Sequence, residues 1–207
     1  MAKEGIFIII ILMLIASIFI LIFNKLTILI IFILIAAFVG FFFRDPERIP
    51  FLEKGVILSP ADGKMIKVEK INDNSFANEN SIKISIFLSL YDVHVNRSPV
   101  EGIVEKIVYK KGKFFPAYKG NASDLNEQNV IHIKGEKERI ILKQIAGILA
   151  RRIKCYLKEN QKVLPGERIG LIMFGSRVEL FLPASVNLLV KEGDKVKGGK
   201  TIIGRFE

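Results

Sequence analysis

Cysteine is nearly absent from this chain. Cys155 is the only one among 207 residues, so no intramolecular disulfide can form and a Cys-rich metal site is excluded. Histidine is almost as scarce: His94 and His132 are the whole supply. A His-rich zinc centre, which takes two or three, has almost nothing to draw on, and no metal site is expected. Acidic residues are outnumbered, 21 against 31 Lys plus Arg, which leaves a net charge of +10. Half the residues are hydrophobic, and that excludes a disordered chain. The length suits one domain with an appendage.

The hydrophobic residues are concentrated at the start. Ile6–Phe23 and Leu26–Phe43 are each free of charge, with Asn24 and Lys25 between them. At 1.5 Å per residue each run makes a helix roughly 27 Å long, close to the ~30 Å hydrocarbon core of a bilayer. Neither run has a polar face, so neither reads as a core helix. A cleaved signal peptide is disfavoured, since a second span follows at once and no small-residue cleavage site intervenes. The pattern predicts a membrane hairpin over residues 1–43, with both ends on one side. A broken long helix, or a hairpin dipping into one leaflet, stays open. Arg44, Arg48 and Lys54 flank the second run while Lys25 stands at the turn. The positive-inside rule therefore places residues 44–207 in the cytoplasm, on the inner face of the cell membrane.

Nearly all of the positive charge lies in residues 44–207. Nucleic acid and anionic lipid are the two natural partners for such a domain. Beside a membrane hairpin lipid is favoured, at about 1 kcal/mol per basic residue near the surface. No nucleic-acid motif is visible.

After the proline-broken linker Arg44–Pro50, the pattern changes to period two. Ile82, Ile84, Ile86 and Leu88 alternate with mostly polar neighbours, as do Val178, Leu180 and Leu182. These are half-buried strands. Further short β-branched runs occur at 103–109, 130–133, 140–142 and 169–173, with Gly and Pro between them. The C-terminus, 190–204, reads as two strands around glycine turns. The fold expected is mainly β, with many short antiparallel strands in a barrel-sandwich-like core. Ile145–Tyr156 is the candidate for a minor helix, weakened by Gly147. The aromatic run Phe114–Tyr118 reads as a loop, either plugging the core or touching lipid.

Three short motifs carry possible chemistry. Gly175-Ser176 is a common dipeptide and by itself a turn. It is also the pattern of a backbone that cuts itself. The serine Oγ attacks the preceding carbonyl, the resulting ester is eliminated, and the remaining dehydroalanine hydrolyses to a pyruvoyl group. A preceding glycine leaves that carbonyl open. Asp92-Val93-His94-Val95-Asn96-Arg97 follows the strand 81–90 and offers His94 for proton transfer near neutral pH. His132, inside an apolar strand, reads as structural. Ser59-Pro60-Ala61-Asp62-Gly63 is a turn in which Asp62 shapes the loop, orients a histidine or holds a proton.

Together with the hairpin, Phe42–Arg48, Asn126–Asn129, Gln144–Gly147, Ala150–Ile153, Gly166–Gly170 and Phe174–Val178, these motifs resemble the phosphatidylserine decarboxylases. The likeness is to the short form found in many bacteria and archaea. It covers nearly the whole chain, and the order of the motifs makes it specific. The resemblance implies a proenzyme cleaved between Gly175 and Ser176 into a β chain, 1–175, and an α chain, 176–207, which stay together as a heterodimer. A higher oligomer is left open. It implies that Ser176 becomes a covalent pyruvoyl group, the pyruvate cofactor, forming a Schiff base with phosphatidylserine and yielding phosphatidylethanolamine. Asp62 matches the family's self-cleavage aspartate, and His94 matches the histidine of its Asp-x-His motif. Arg97 stands where the long bacterial form has a second histidine, which leaves the identity of the cleavage base open. Arg151 and Arg152 are candidates for the lipid phosphate.

Two other readings stand beside this one. The run Gly193–Gly204 looks like the hairpin of biotinyl and lipoyl carriers, with Lys64 in the position of a modified lysine, so a membrane-anchored carrier or adaptor is an alternative. The other is a pyruvoyl decarboxylase acting on a different amine.

Overall fold

A computed structural model of the chain describes residues 1–23, 26–71, 81–118, 122–136, 138–148, 152–173 and 175–206. It divides into two compact units, Met1–Glu47 and Arg48–Glu207.

The first unit is a helix pair, α1 (Lys3–Phe23) and α2 (Leu26–Phe42). The helices run antiparallel, since the N–H of Ala2 reaches the carbonyl of Phe43 at 2.8 Å. Gly5 permits the approach, because a Cβ there would overlap the Phe43 side chain. The Phe19 and Phe32 rings meet at 6.0 Å along the pair. Lys3–Ile22 is long and apolar enough to cross a membrane, whereas Leu26–Phe42 is shorter. Most side chains of both helices are exposed. That is unfavourable in water and suits lipid.

Among the described residues the second unit contains fourteen strands and one short helix. In chain order the strands are β1 (Val56–Leu58), β2 (Gly63–Ile71), β3 (Ser81–Leu88), β4 (Val95–Arg97), β5 (Gly102–Lys110), β6 (Gln128–Lys134), β7 (Arg139–Ile145), β8 (Ile153–Cys155), β9 (Lys162–Val163), β10 (Arg168–Ile172), β11 (Ser176–Pro183), β12 (Asn187–Leu188), β13 (Lys195–Val196) and β14 (Ile202–Arg205). Helix α3 (Ala122–Leu125) lies between β5 and β6. Eight strands form one sheet in the order β13-β2-β3-β11-β7-β6-β5-β9. Each of its pairings is antiparallel. Register shifts at Met65/Lys67 and Val104/Lys106 are the kind of irregularity that bends a sheet, and it curls into a half-barrel. The small sheets β1-β14-β12 and β4-β10-β8 send Ile57, Ile203, Ile169 and Ile172 into the same core as Ile84, Ile86, Leu142, Val178 and Leu180. At ~1.5–3 kcal/mol for each fully buried aliphatic side chain, this single core is the main stabilising term.

The alternating runs of the sequence are β3 and β11, and their apolar positions face that core. The opposite face of β11 is also covered, so all eight of its residues are buried, where the pattern suggests a half-buried strand. A central strand with a helix laid over it has no free face. The expected helix over 145–156 does not form. Ile145 closes β7, and Ile153–Cys155 is instead strand β8, paired with Gly170–Ile172; residues 149–151 lie outside the described residues. Gly147 and the chance to pair with β10 both work against a helix there. The minor helix is α3, within the polar stretch before β6.

Candidate active site

Ser176 opens β11, the strand at the middle of the eight-stranded sheet, and pairs with Leu88 of β3. By alternation it shares the core face with Val178 and Leu180. It is fully buried, and its Oγ has no hydrogen-bond partner among the described residues. A buried hydroxyl left unsatisfied is destabilising by about 1–3 kcal/mol and calls for a reason. Gly175, just before it, has φ of +57°, a conformation that disfavours any residue with a Cβ.

The Gly175 carbonyl is held from the other side by Gly147. An ideal Cβ at position 147 would fall 2.0 Å from Gly175 O and 3.4 Å from the Ala117 Cβ. Only a glycine lets the two backbones meet there. The neighbour of Gly147 is fixed twice: Ala146 N–H donates to Glu127 O at 2.9 Å, and Asn126 Nδ2 donates to Ala146 O at 2.7 Å. The same Asn126 amide both accepts from Phe115 N–H and donates to Phe115 O, at 2.8 Å each. Gly147, Asn126 and the 115–117 loop thus form one rigid support beneath the Gly175–Ser176 peptide.

His94 is buried just before β4. Its Nδ1 lies 2.9 Å from the Asp92 carbonyl. A carbonyl only accepts, so Nδ1 carries the hydrogen and the neutral ring keeps its lone pair on Nε2, a tautomer assigned from the bonding. The Asp92 carboxylate is used locally, accepting from Ser89 N–H and Oγ at 2.8 and 2.6 Å. The His94 carbonyl accepts from Ile172 N–H at 3.4 Å. Leu88 pairs with Ser176 and the His94 carbonyl meets Ile172 N–H, so the chain at 88 and 94 lies beside 176 and 172 in the opposite direction. The backbone thus brings the His94 and Ser176 segments into one corner. A chain of buried amides braces it, with Asn129 Nδ2 donating to Gln144 Oε1 at 2.9 Å and Gln144 Nε2 to Asn96 Oδ1 at 2.8 Å.

Asp62 belongs to an adjoining corner. Its carboxylate takes both Arg48 guanidinium nitrogens, at 2.5 and 2.8 Å, and the Gly198 N–H at 2.8 Å. A bidentate pair of this kind is strong and directional. Lys64, next to Gly63, pairs with Phe87 of β3. Asp62 thus sits just before β2, with β3 between that strand and β11. Its bonds go to Arg48 and Gly198 rather than to a histidine. Arg97 joins this corner through its N–H on Pro60 O at 2.8 Å and its Nη1 on Gly166 O at 2.9 Å. The sequence marks Arg48 as a membrane-flanking charge and as the end of the Phe42–Arg48 motif, with nothing to pair it with Asp62. Gly147 carries one local signal, a glycine interrupting an apolar run. Arg152 is exposed, its carbonyl accepting from Met173 N–H at 3.2 Å; Arg151 lies outside the described residues.

Residues 35–204 match the profile of the phosphatidylserine decarboxylase family. The chain belongs to this family. It is 47% identical over 176 residues to the phosphatidylserine decarboxylase proenzyme of Carboxydothermus hydrogenoformans, covering 84% of this chain and 82% of the relative. It is 44% identical over 177 residues to that of Desulfotalea psychrophila, covering 85% and 83%. A third similar proenzyme, from Polynucleobacter asymbioticus, is 46% identical over 173 residues, 84% of this chain and 80% of the relative.

In this decarboxylase the strand that begins at Ser176 is anchored on its outer face by buried charge. Glu179 accepts from Ser123 Oγ and lies 3.4 Å from Arg177 Nη1 and 3.9 Å from Lys143 Nζ. Arg177 Nη1 also donates to Ser123 Oγ at 2.8 Å. Burial holds the Lys143 ammonium below the usual lysine range, with Glu179 opposing that shift. His132, on the outer face of β6, is likewise held below the ordinary histidine range by burial, then by Arg139 and Lys106, with Glu105 opposing. The Gly193–Gly204 run that looks carrier-like packs onto the 59–65 segment: Met65 N–H donates to Asp194 O at 2.9 Å and Gly199 N–H to Ser59 O at 2.8 Å. Here it belongs to the same compact unit as the Asp62 turn.

Proposed function

We propose that the Gly175–Ser176 peptide is the bond this proenzyme severs. Ser176 then becomes the pyruvoyl group on which phosphatidylserine loses CO2 to give phosphatidylethanolamine. The observation that carries the reading is the buried Ser176 Oγ, without a hydrogen-bond partner among the described residues, next to a carbonyl seated on Gly147. Oγ adds to the Gly175 carbonyl carbon, and the C–N bond breaks to leave an ester and a free amine. Loss of the Ser176 α-proton expels the Gly175 carboxylate and leaves dehydroalanine. Water then displaces its nitrogen as ammonia and leaves a ketone. The group supplies that ketone for the substrate amine and an electron sink for the pair released with CO2.

His94 takes the proton from Oγ and later returns one to the substrate carbon, through Nε2, the ring nitrogen opposite the one that donates to Asp92 O. Asp62 acts at one remove. It joins Arg48, in the 1–175 segment, to Gly198, in the 176–207 segment, and so holds the two in register around the cut. The α chain remains in place because β11 pairs with β3 on one side and β7 on the other. Releasing it would open the middle of the sheet, so a stable heterodimer follows. The helix pair anchors the enzyme where its substrate is, raising the effective concentration of lipid. The catalytic domain lies on the cytoplasmic side, by the basic flank of α2.

Gel electrophoresis with intact-mass analysis of purified enzyme tests this reading. The expected result is two chains, 1–175 and 176–207, with the smaller lacking a free amino terminus. Ser176→Ala gives one uncut, inactive chain. Active enzyme with an intact 207-residue chain would overturn the proposal.

A further inference from the structure

We propose that the Phe114–Tyr118 loop, together with Ile148, is an apolar lip that seats in an anionic phospholipid bilayer at the mouth of the Ser176 site. The inference rests on the reading of Ser176 as the reactive residue for a membrane lipid, and adds the surface through which that lipid arrives. The placement comes from the support beneath the scissile peptide. Ala117 lies against Gly147, which lies against the Gly175 carbonyl. Phe114 and Tyr118 flank Ala117, and Ile148 follows Gly147. These three are 38%, 63% and 55% exposed, whereas Ala117 is buried.

The lip is held open rather than left loose. Asn126 clasps both the N–H and the carbonyl of Phe115. The Tyr118 ring stands edge-on to Phe87 at 6.2 Å. An exposed aromatic group braced in this way points to a partner surface rather than to a floppy connection.

The surrounding charge says which surface. Lys110 ends β5 at the same end of the sheet as Ser176, through the register Lys110–Gln128–Ile145–Arg177. Lys111 and Lys113 follow it, and Arg152 bonds beside Met173. All four cations are exposed. Asp124 is an exposed acid nearby, while Glu127 is buried beneath the loop. Basic groups around an apolar, aromatic-tipped loop match an anionic headgroup layer over acyl chains.

The chain contains no tryptophan, so one introduced tryptophan is a sole reporter. Full-length Tyr118→Trp enzyme is reconstituted into phosphatidylglycerol-containing vesicles whose acyl chains carry bromine. The expected result is strong quenching of Tyr118→Trp, weaker quenching in vesicles of phosphatidylcholine alone, and none for Leu189→Trp, an exposed residue just after β12. Independently, Phe114→Ser/Tyr118→Ser enzyme should cleave itself normally and turn over a soluble short-chain phosphatidylserine normally. Its KM for bilayer phosphatidylserine should rise by about tenfold or more, the loss expected for two apolar anchors. Tyr118→Trp as unquenched as Leu189→Trp, or an unchanged bilayer KM, overturns the lip while leaving the pyruvoyl reading intact. An uncut wild-type chain defeats the pyruvoyl reading without affecting the quenching result.

Discussion

Replacing Gly147 by alanine tests the geometry of the cut most directly. The added Cβ would fall 2.0 Å from Gly175 O, and real Cβ atoms essentially never come within 3.0 Å of a neighbour. One side must therefore retreat by at least about 1 Å, and a misplacement of that size at a reacting centre is worth about 10²-fold in rate. Gly147 cannot easily give way, because Ala146 is pinned through its N–H to Glu127 and its carbonyl to Asn126. Gly175 can, since nothing lies within 4 Å of its own Cβ position. Gly147 is not in the left-handed region, so alanine suits its own backbone angles and the cost falls on the contact with Gly175. The expected outcome is self-cleavage slowed by about 10²-fold, roughly 2.7 kcal/mol in barrier, in protein that still folds to a cooperative melt. Gly175→Ala offers the contrast: room for the methyl, but a φ of +57° that disfavours alanine by about 1–2 kcal/mol. The assay is the time course of precursor and product bands after cell-free synthesis into membranes. Wild-type cleavage in a folded Gly147→Ala chain would refute the idea that this contact positions the carbonyl.

Four further outcomes are expected. His94→Gln should slow self-cleavage by about 10²- to 10⁴-fold, the usual range for loss of a general base; band ratios at wild-type level would remove His94 from that role. Glu179→Gln in the uncut Ser176→Ala background leaves Arg177 and Lys143 buried without their acid and should lower unfolding stability by about 3–5 kcal/mol, read as a fall in melting temperature. Asp62→Asn in the same background breaks the buried pair with Arg48, whose side chain is 7% exposed, and should also lower the melting temperature; an unchanged melt would mean the pair is dispensable to the fold. For pH, the folded protein holds His132 below its ordinary value of 6.5. The unfolded chain therefore binds that proton first, and the stability involved is full above pH 6.5 and lost as pH falls through the folded value. His132→Gln should flatten the melting temperature against pH just below 6.5, and an unaltered slope would assign the acid sensitivity elsewhere.

Cut as proposed, the 176–207 chain would still supply the central strand of the large sheet, giving two chains without two domains. Such a protein could cut its own backbone beside its core and persist, because β11 would stay paired with β3 and β7, and the outer face of β11 is tied down by Glu179. A strand paired on both sides suits a site that must hold a carbonyl, a hydroxyl and a base in fixed relation.

Local pattern alone determined a good deal of this protein. Two uncharged runs specify apolar helices, because a lipid-facing helix needs no polar side. Period-two alternation in 82–88 and 178–182 specifies strands of a one-core β domain, because successive side chains take opposite faces. The order of short motifs, ending in Gly175-Ser176, identified the family and its chemistry. Tertiary structure decided what depends on contacts between distant segments. The helix expected at 145–156 became a strand end, a tight glycine and β8, because β10 offered partners that a local pattern cannot see. Gly147 looked like a flaw in a helix until the register of β7 on β11 put it against the Gly175 carbonyl. Asp62, whose partners the turn Ser59–Gly63 leaves open, is bonded by Arg48 and Gly198, residues 14 and 136 positions away. A one-dimensional pattern encodes periodicity and turn chemistry. Which buried acid meets which base, and which carbonyl rests on which glycine, follows only from strand order and register.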